Sequence, residues 1–211
     1  MERLFLALTF FTISSCELPN LIQADRYIEP EPIEAELKTE VYKDVWARID
    51  ASSSIQRDRL DEETLRYVNL YLSNPAQFSR LIKKGQYFIY FVLEELEKYR
   101  LPPELALLPY IESNYDPFSI SASGAMGIWQ FMPATARIYG LQDTWWYEQR
   151  HDPLVSSRAA VRYLAYLHNR FNKEITYTLS AYNGGPTLLE KQIKLNKKLG
   201  KSTNYKHLKL P

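Results

Sequence analysis

The sequence predicts an all-α domain over residues 59–211. Apolar residues recur there at three- and four-residue steps. Several stretches begin with a capping residue followed by proline, as helices commonly do. The chain contains only seven Gly against twelve Pro, which disfavours glycine-rich hairpins, and its 45% hydrophobic content over 211 residues is enough for one core. A net charge of +1 gives no reason to expect a nucleic-acid partner.

The first 16 residues have the layout of a secretory signal. Arg3 precedes an apolar run over residues 4–13, which is too short to span a bilayer, and two serines then lead to Cys16. The letters Ile-Ser-Ser-Cys resemble a bacterial lipobox, which predicts a lipid anchor on Cys16 and a periplasmic location. By the same resemblance, Glu17 favours the outer membrane of a Gram-negative cell. The alternative is a small buried cysteine in an amphipathic start; no second cysteine exists to form an intrachain disulfide.

Residues 17–58 are predicted to be an acidic tether or loosely packed N-terminal arm. Between residues 17 and 44 there are eight acidic residues, three basic residues and three prolines, without a sustained apolar period.

The helices of the domain are predicted from their start and stop signals. Asn74 before Pro75 opens an amphipathic helix over 75–99, and Pro103 opens a short apolar helix that reaches Glu112. Three further helices are expected from Pro133 to a cap at Gly140, from Asp152 and Pro153 onward, and over 174–183 before Gly184 and Gly185. The irregular stretches 113–130 and 140–152 remain available for a site.

Glu112 is the candidate general acid. It ends an apolar helix, where the negative pole of the helix dipole and the apolar neighbours both disfavour the ionised carboxylate. Both effects predict a raised pKa, which suits a group that must hold a proton near neutral pH. The alternative is a solvated glutamate at a frayed helix end, because most glutamates are exposed.

Downstream residues have the character of a carbohydrate cleft. Gly124 and Gly127 allow close approach of backbones, and Gln130 offers an amide. Sugars need hydrogen bonds for their hydroxyls and aromatic rings for their C–H faces. Such groups, together with an apolar wall, are supplied by Trp129, Gln130, Phe131, Met132, Tyr182 and Asn183. A core-packing loop would explain the apolar members equally well.

Three motifs in order resemble the family 1 lytic transglycosylases over roughly residues 60–210. They are the glutamate and serine after "LLPYI", the element "GIWQFMP", and the element "AYNGG". The resemblance implies a lysozyme-like α fold and cleavage of the β-1,4 bond between N-acetylmuramic acid and N-acetylglucosamine in peptidoglycan. The product expected is a 1,6-anhydro ring, and no cofactor or metal is implied.

The same resemblance assigns a role to each matching residue. Glu112 is the acid and base, and Ser113 steadies its carboxyl or the reacting sugar. Gln130 and Met132 fall on cleft positions of the second motif, and Tyr182 and Asn183 on those of the third. The implied partners are peptidoglycan strands and, through Cys16, a membrane; the protein is expected to be a monomer.

Two features leave the function open at this point. A family segment resembling "P-x-E-T-x-x-Y-V" has no counterpart before Pro211, so we expect a C-terminally short domain, and a non-catalytic peptidoglycan-binding lipoprotein is one alternative. Asp116 raises another, because a second carboxylate that activated water would make a muramidase of the goose-lysozyme kind. Asp before Pro is, however, a common turn former, and that role is favoured.

Two further groups of residues have both a structural and a functional interpretation. Trp145, Trp146 and Tyr147 could form a sugar-stacking platform, but core or loop-anchoring rings are the favoured interpretation. The neighbouring Arg150 and His151 have no Cys or His partner at metal-ligand spacing, so no zinc site is expected.

Overall fold

The computed structural model describes residues 31–32, 42–53 and 61–210, and its regular structure is helical. In these ranges β-structure is limited to three isolated bridges. The all-α prediction is therefore confirmed. No helix in the same ranges is long and apolar enough to cross a membrane. The predicted signal over 1–16, with Cys16, lies outside the described residues. The helices are α1 Val45–Ser52, α2 Glu62–Leu72, α3 Pro75–Gly85, α4 Ile89–Lys98, α5 Leu108–Ser113, α6 Pro133–Ile138, α7 Pro153–Arg170, α8 Ile175–Gly184 and α9 Pro186–Lys198.

Helix α1 falls inside the segment predicted as an arm. Its first turn is capped by Asp44, whose carboxylate accepts from the Ala47 amide at 2.9 Å. Val45 and Ile49 are buried in the main core, and Arg48 forms an ion pair with Glu97 of α4 at 2.8 Å. This part of the arm thus belongs to the packed body.

The single helix predicted over 75–99 is wrong, because the chain forms α3 and α4 with a turn between them. The predicted start is confirmed, since the Asn74 side chain accepts from the Gln77 amide at 3.1 Å. The break follows Gly85, which is buried against Tyr110; a Cβ at Gly85 would lie 2.3 Å from the Tyr110 hydroxyl oxygen. The end of α3 is thus set by close packing against α5. The apolar periodicity of the sequence contains no sign of this contact.

Helix α7 is the centre of the domain. Asp152 caps it by accepting from the amides of Leu154 and Val155 at 2.9 and 3.0 Å, as predicted. Helices α4 and α8 both pack against it. Its side chains Val161, Leu164 and Leu167 are fully buried.

The predicted stop after α8 is also confirmed. Gly185 ends the helix with φ +84°, a left-handed value that favours glycine, and Pro186 then opens α9. A second, smaller apolar cluster joins α7, α8 and α9 to the chain near Leu208.

Candidate active site

Glu112 lies near the end of α5, a helix of six residues that follows a 3₁₀ segment Pro103–Leu107. The chain then leaves the helix through Asn114 and Tyr115, both left-handed, with φ 54° and 58°. The Glu112 side chain is half-buried, and burial raises its pKa. Among the described residues no group hydrogen-bonds to its carboxyl. Burial shifts the pKa in the direction that the sequence predicts, and a half-buried side chain differs from the fully solvated glutamate of the alternative.

Ser113 connects α5 to the loop that follows it. Its hydroxyl is buried and lies 3.0 Å from the carbonyl oxygen of Ile128 and 3.3 Å from that of Pro109. A hydroxyl has one proton to donate, and both neighbours are acceptors. Ser113 therefore contacts backbone carbonyls and holds residues 113–131 against the helix.

Gly127 meets the backbone of the segment before α7. It has φ +77°, and a Cβ there would lie 1.8 Å from the Arg150 carbonyl oxygen, so only glycine fits. The predicted close approach is right for Gly127. It is wrong for Gly124, where φ is +84° but nothing lies within 4 Å of a Cβ position.

Arg150 ties the same loop to the scaffold. Its buried guanidinium donates to the carbonyls of Gly124 and Phe131 at 3.2 and 3.3 Å and forms an ion pair with Glu148 at 2.6 Å. The hydrogen bond between the Arg150 and Glu148 side chains raises the pKa of Arg150 and lowers the pKa of Glu148. From the sequence, Arg150 is a candidate only for a metal site or a triad, and its role in holding the loop has no local signal. No cluster of three His, Cys, Asp or Glu side chains suited to a metal occurs in the described part of the chain.

Two further contacts hold the loop from its other side. The indole nitrogen of Trp129, which is fully buried, donates to the Ser157 hydroxyl of α7 at 2.8 Å. The Nδ1 atom of His151 lies 2.7 Å from the Pro117 carbonyl oxygen. A buried arginine, an indole and an imidazole thus fix a loop that has little regular structure of its own.

Gln130 and Met132 lie at the end of this loop. Gln130 is left-handed with φ 48°, and its amide nitrogen donates to the Gly127 and Ser119 carbonyls at 2.9 and 3.3 Å. No described group binds its amide oxygen. Met132 immediately precedes α6 and is 43% exposed, so its thioether is accessible to a ligand.

Tyr182 reaches the loop from α8. Its half-buried ring places the hydroxyl 2.8 Å from the Trp129 carbonyl, to which it donates. Burial raises its pKa, and the nearby Glu112 carboxyl raises it further, so the two side chains lie within electrostatic reach. Asn183, the next residue, is exposed near the end of the same helix. Glu112 and Tyr182 are 70 positions apart along the chain.

The structure bears on two interpretations that the sequence left open, those of Asp116 and of the aromatic residues 145–147. Asp116 is exposed and accepts from the Phe118 amide at 3.0 Å, the geometry of the predicted turn former. Core packing is wrong for Trp145 and Trp146, whose side chains are 95% and 69% exposed. Loop anchoring holds for Tyr147, whose hydroxyl donates to Asp152 at 2.7 Å.

Comparisons with known proteins found several similar murein transglycosylases. Membrane-bound lytic murein transglycosylase D of Escherichia coli K12 is 35% identical over 171 residues, which cover 80% of this chain and 37% of that protein. Membrane-bound lytic murein transglycosylase F of Pseudomonas fluorescens is 31% identical over 127 residues, covering 57% of this chain and 24% of that protein. The chain thus spans less than two-fifths of the length of either relative.

Among solved structures, an inactive mutant of lytic transglycosylase Slt from Pseudomonas aeruginosa is similar with a TM-score of 0.44 and 25% identity. That similarity covers 50% of this chain and 18% of the other. The model of the Transglycosylase SLT domain matches residues 90–205, more than half of the chain, and this span contains Glu112, the loop and Tyr182. The chain belongs to the Transglycosylase SLT domain family.

Proposed function

We propose that this protein is a lytic transglycosylase that cleaves peptidoglycan strands with Glu112 as its acid and base. The observation that carries the proposal is the half-buried Glu112 carboxyl, whose pKa is raised and to which no described group hydrogen-bonds. A carboxyl engaged in an ion pair would be held ionised, whereas this one is suited to retain a proton and present it to a ligand.

The proposed reaction needs one carboxyl group. Glu112 donates its proton to the glycosidic oxygen as the bond from that oxygen to C1 of N-acetylmuramic acid breaks. The resulting carboxylate then takes the proton of the C6 hydroxyl while O6 attacks C1. The products are a 1,6-anhydromuramic end and a free N-acetylglucosamine hydroxyl, and the carboxyl is regenerated. No second carboxylate is required, in contrast to the usual glycosidase pair.

The remaining site residues have proposed roles that follow their contacts. Gln130 offers its amide oxygen to a sugar N–H or hydroxyl, while its amide nitrogen stays bound to the loop. Met132 and Asn183, both exposed, would contact the sugar rings. Tyr182 holds the loop by donating from its hydroxyl to the Trp129 carbonyl. Ser113 acts by holding the loop, since its hydroxyl is engaged with backbone carbonyls.

The test is digestion of purified sacculi followed by mass analysis of the soluble products. We expect muropeptides that end in 1,6-anhydromuramic acid, and we expect Glu112→Gln to lower the rate by about 10²- to 10⁴-fold, the usual contribution of a general acid. Products with free reducing ends would mean hydrolysis and would return Asp116 to consideration. Binding to sacculi without any release would instead indicate a non-catalytic lipoprotein.

We also propose that a lipid on Cys16 holds the protein at the periplasmic face of the outer membrane. The support is the lipobox-like sequence before Cys16 together with the membrane-bound nature that the names of both murein transglycosylase relatives state. Mass analysis of the mature N-terminus should find a diacylglyceryl-modified cysteine. Cys16→Ala should move the protein out of the membrane fraction; unchanged fractionation would contradict the anchor.

A further inference from the structure

The two exposed tryptophans stand at the tip of an ordered turn. The Thr144 amide donates to the Tyr147 carbonyl at 3.0 Å, and the Tyr147 amide donates to the Thr144 hydroxyl at 3.0 Å. Trp145 and Trp146 occupy the two positions between them. Turn tips are usually made by Gly, Asn, Asp or Pro, so turn propensity does not explain two tryptophans there. They also contribute little to a core, being 95% and 69% exposed.

Trp146 and Tyr147 form a fixed aromatic surface suited to a flat ligand, and Trp145, the preceding residue, adds an exposed ring. Trp146 stacks on Tyr147, with ring centroids 5.6 Å apart and an interplanar angle of 22°. Tyr147 is fixed in turn by its hydrogen bond to Asp152, the cap of α7. The turn base is closed by the Gln149 amide, which donates to the Gln142 carbonyl at 3.1 Å. An aromatic surface fixed in this way loses little conformational freedom on binding.

Beside these rings lies an open groove of about 620 Å³, a volume within the usual range for small-ligand sites. Phe118 and His151 also line it, and their ring centroids are 5.9 Å apart. Phe118 lies six residues after Glu112 on the loop already described. The groove therefore shares a wall with the loop that directly follows Glu112.

The charges of the groove favour a neutral occupant. Its two carboxylates are engaged, Glu148 with Arg150 and Asp152 with Tyr147 and the amides at the start of α7. A stem peptide, which carries free carboxylates, would need a cationic partner, and the residues that line the groove include no Lys or Arg. A pyranose ring needs aromatic faces and hydrogen-bonding edges; the rings supply the faces, and the indole N–H groups of Trp145 and Trp146 have no hydrogen-bond partner among the described residues.

We infer that Trp145, Trp146 and Tyr147 form an accessory binding site for a neutral sugar unit of the same glycan strand, outside the bond that Glu112 cleaves. The inference rests on the proposed function for the identity of the strand. Its role would be to hold long strands, so its loss should raise KM and leave kcat unchanged.

The test compares Glu112→Gln protein with and without the double change Trp145→Ala and Trp146→Ala. Titration calorimetry with a tetramer of β-1,4-linked N-acetylglucosamine should show binding weakened about tenfold, whereas an isolated stem peptide should show no difference. Tyr67→Ala, an exposed aromatic on α2 that does not line the groove, is the matched control and should bind as the parent does. Because both tryptophans are exposed, the melting temperature should be unchanged; if it falls, Trp145→Ala alone replaces the double change.

In the active background, the same double change should raise KM for sacculi about tenfold at constant kcat. Unaltered tetramer affinity, or a loss of affinity for the peptide instead, would overturn the accessory site while leaving the assignment of Glu112 intact. If the parent released no anhydro products, the proposed reaction would fail, and the tetramer titration would still decide whether the rings bind sugar.

Discussion

At the scale of single residues, the site depends on side chains whose environment differs from water. Glu112 is half-buried without a hydrogen-bonding partner among the described residues, which is unfavourable for its carboxylate form. Tyr182 combines burial with a hydrogen bond to the Trp129 carbonyl. Both arrangements have consequences for stability as well as for activity.

Glu112→Gln should make the folded protein more stable at pH 8. Because burial raises the folded-state pKa above its ordinary value of 4.5, the folded state binds more protons than the unfolded chain between those two pKa values. The wild-type protein therefore loses stability as pH rises through this window, and Gln avoids the loss. Thermal unfolding at pH 8 should give the variant the higher melting temperature, and the difference should shrink as pH falls below 4.5.

The control for this measurement is Glu94→Gln, which changes an exposed carboxylate of α4 in the same protein. It should show a smaller pH-dependent difference. A lower melting temperature for Glu112→Gln at pH 8 would contradict the environment described for the carboxyl.

Tyr182→Phe should lower both stability and turnover. Removing the hydroxyl deprives the Trp129 carbonyl of its donor, a loss of about 1–3 kcal/mol for a buried acceptor. Tyr177→Phe is the matched control, since that hydroxyl also donates to a backbone carbonyl, of Thr203 at 2.5 Å. Chemical unfolding should show similar losses for the two variants, whereas kcat should fall for Tyr182→Phe alone. Equal kcat values would argue against a role for Tyr182 beside the acid.

At the scale of elements, the loop 113–131 is shaped by contacts with the segment that precedes α7. Gly127 lies directly on the Arg150 carbonyl, and Trp129 is bound to Ser157 within α7. The loop has two bridges of its own, Ile120 to Met126 and Met126 to Phe131. It is ordered mainly because the scaffold binds it, so its geometry should be sensitive to single atoms at these contacts.

Gly127→Ala should therefore be much more damaging than Gly124→Ala. Both glycines have left-handed φ, which costs about 1 kcal/mol for alanine. Only at Gly127 would the added Cβ also overlap a backbone oxygen, so we expect a total loss of at least about 2 kcal/mol and a strong fall in activity. Urea unfolding of both variants measures the difference. Equal losses of unfolding free energy would show that the loop shifts to accommodate the added Cβ.

At the scale of the whole molecule, Arg150 connects the loop 113–131, the turn that carries Trp145 and Trp146, and the start of α7. Its guanidinium contacts the Gly124 and Phe131 carbonyls and the Glu148 carboxylate, and its own carbonyl is the oxygen that Gly127 approaches. One buried side chain thus sets the position of the cleft loop relative to the aromatic groove.

Arg150→Ala should reduce the free energy of unfolding by about 3 kcal/mol or more, because it removes the cationic partner of the Glu148 carboxylate and the hydrogen bonds that the guanidinium donates to the Gly124 and Phe131 carbonyls. Arg158→Ala is the matched control: that side chain is 54% exposed and pairs with Glu95 at 3.6 Å, while Lys98 also pairs with Glu95. Its expected loss is about 0–1 kcal/mol. Losses of similar size in equilibrium unfolding would mean that Arg150 is not the link described.

Much of the helical framework could be predicted because its signals are local. Asn74 and Asp152 bind amides two or three residues ahead of themselves, and Gly185 ends α8 through its own backbone conformation. The place of Glu112 at the end of an apolar helix, and the direction of its pKa shift, follow from the same short stretch of sequence.

Features whose partners are distant along the chain depend on tertiary packing. The break after Gly85 depends on Tyr110, the loop geometry depends on Arg150 and Ser157, and the approach of Tyr182 to Glu112 spans 70 positions. The exposure of Trp145 and Trp146 belongs with these, because burial is a property of what packs around a ring. Local signals in the sequence predicted several helix ends and the proposed acid Glu112, since capping and apolar periodicity act within a few residues; the break after Gly85 and the shape of the loop that follows Glu112 required long-range packing that no local pattern contains.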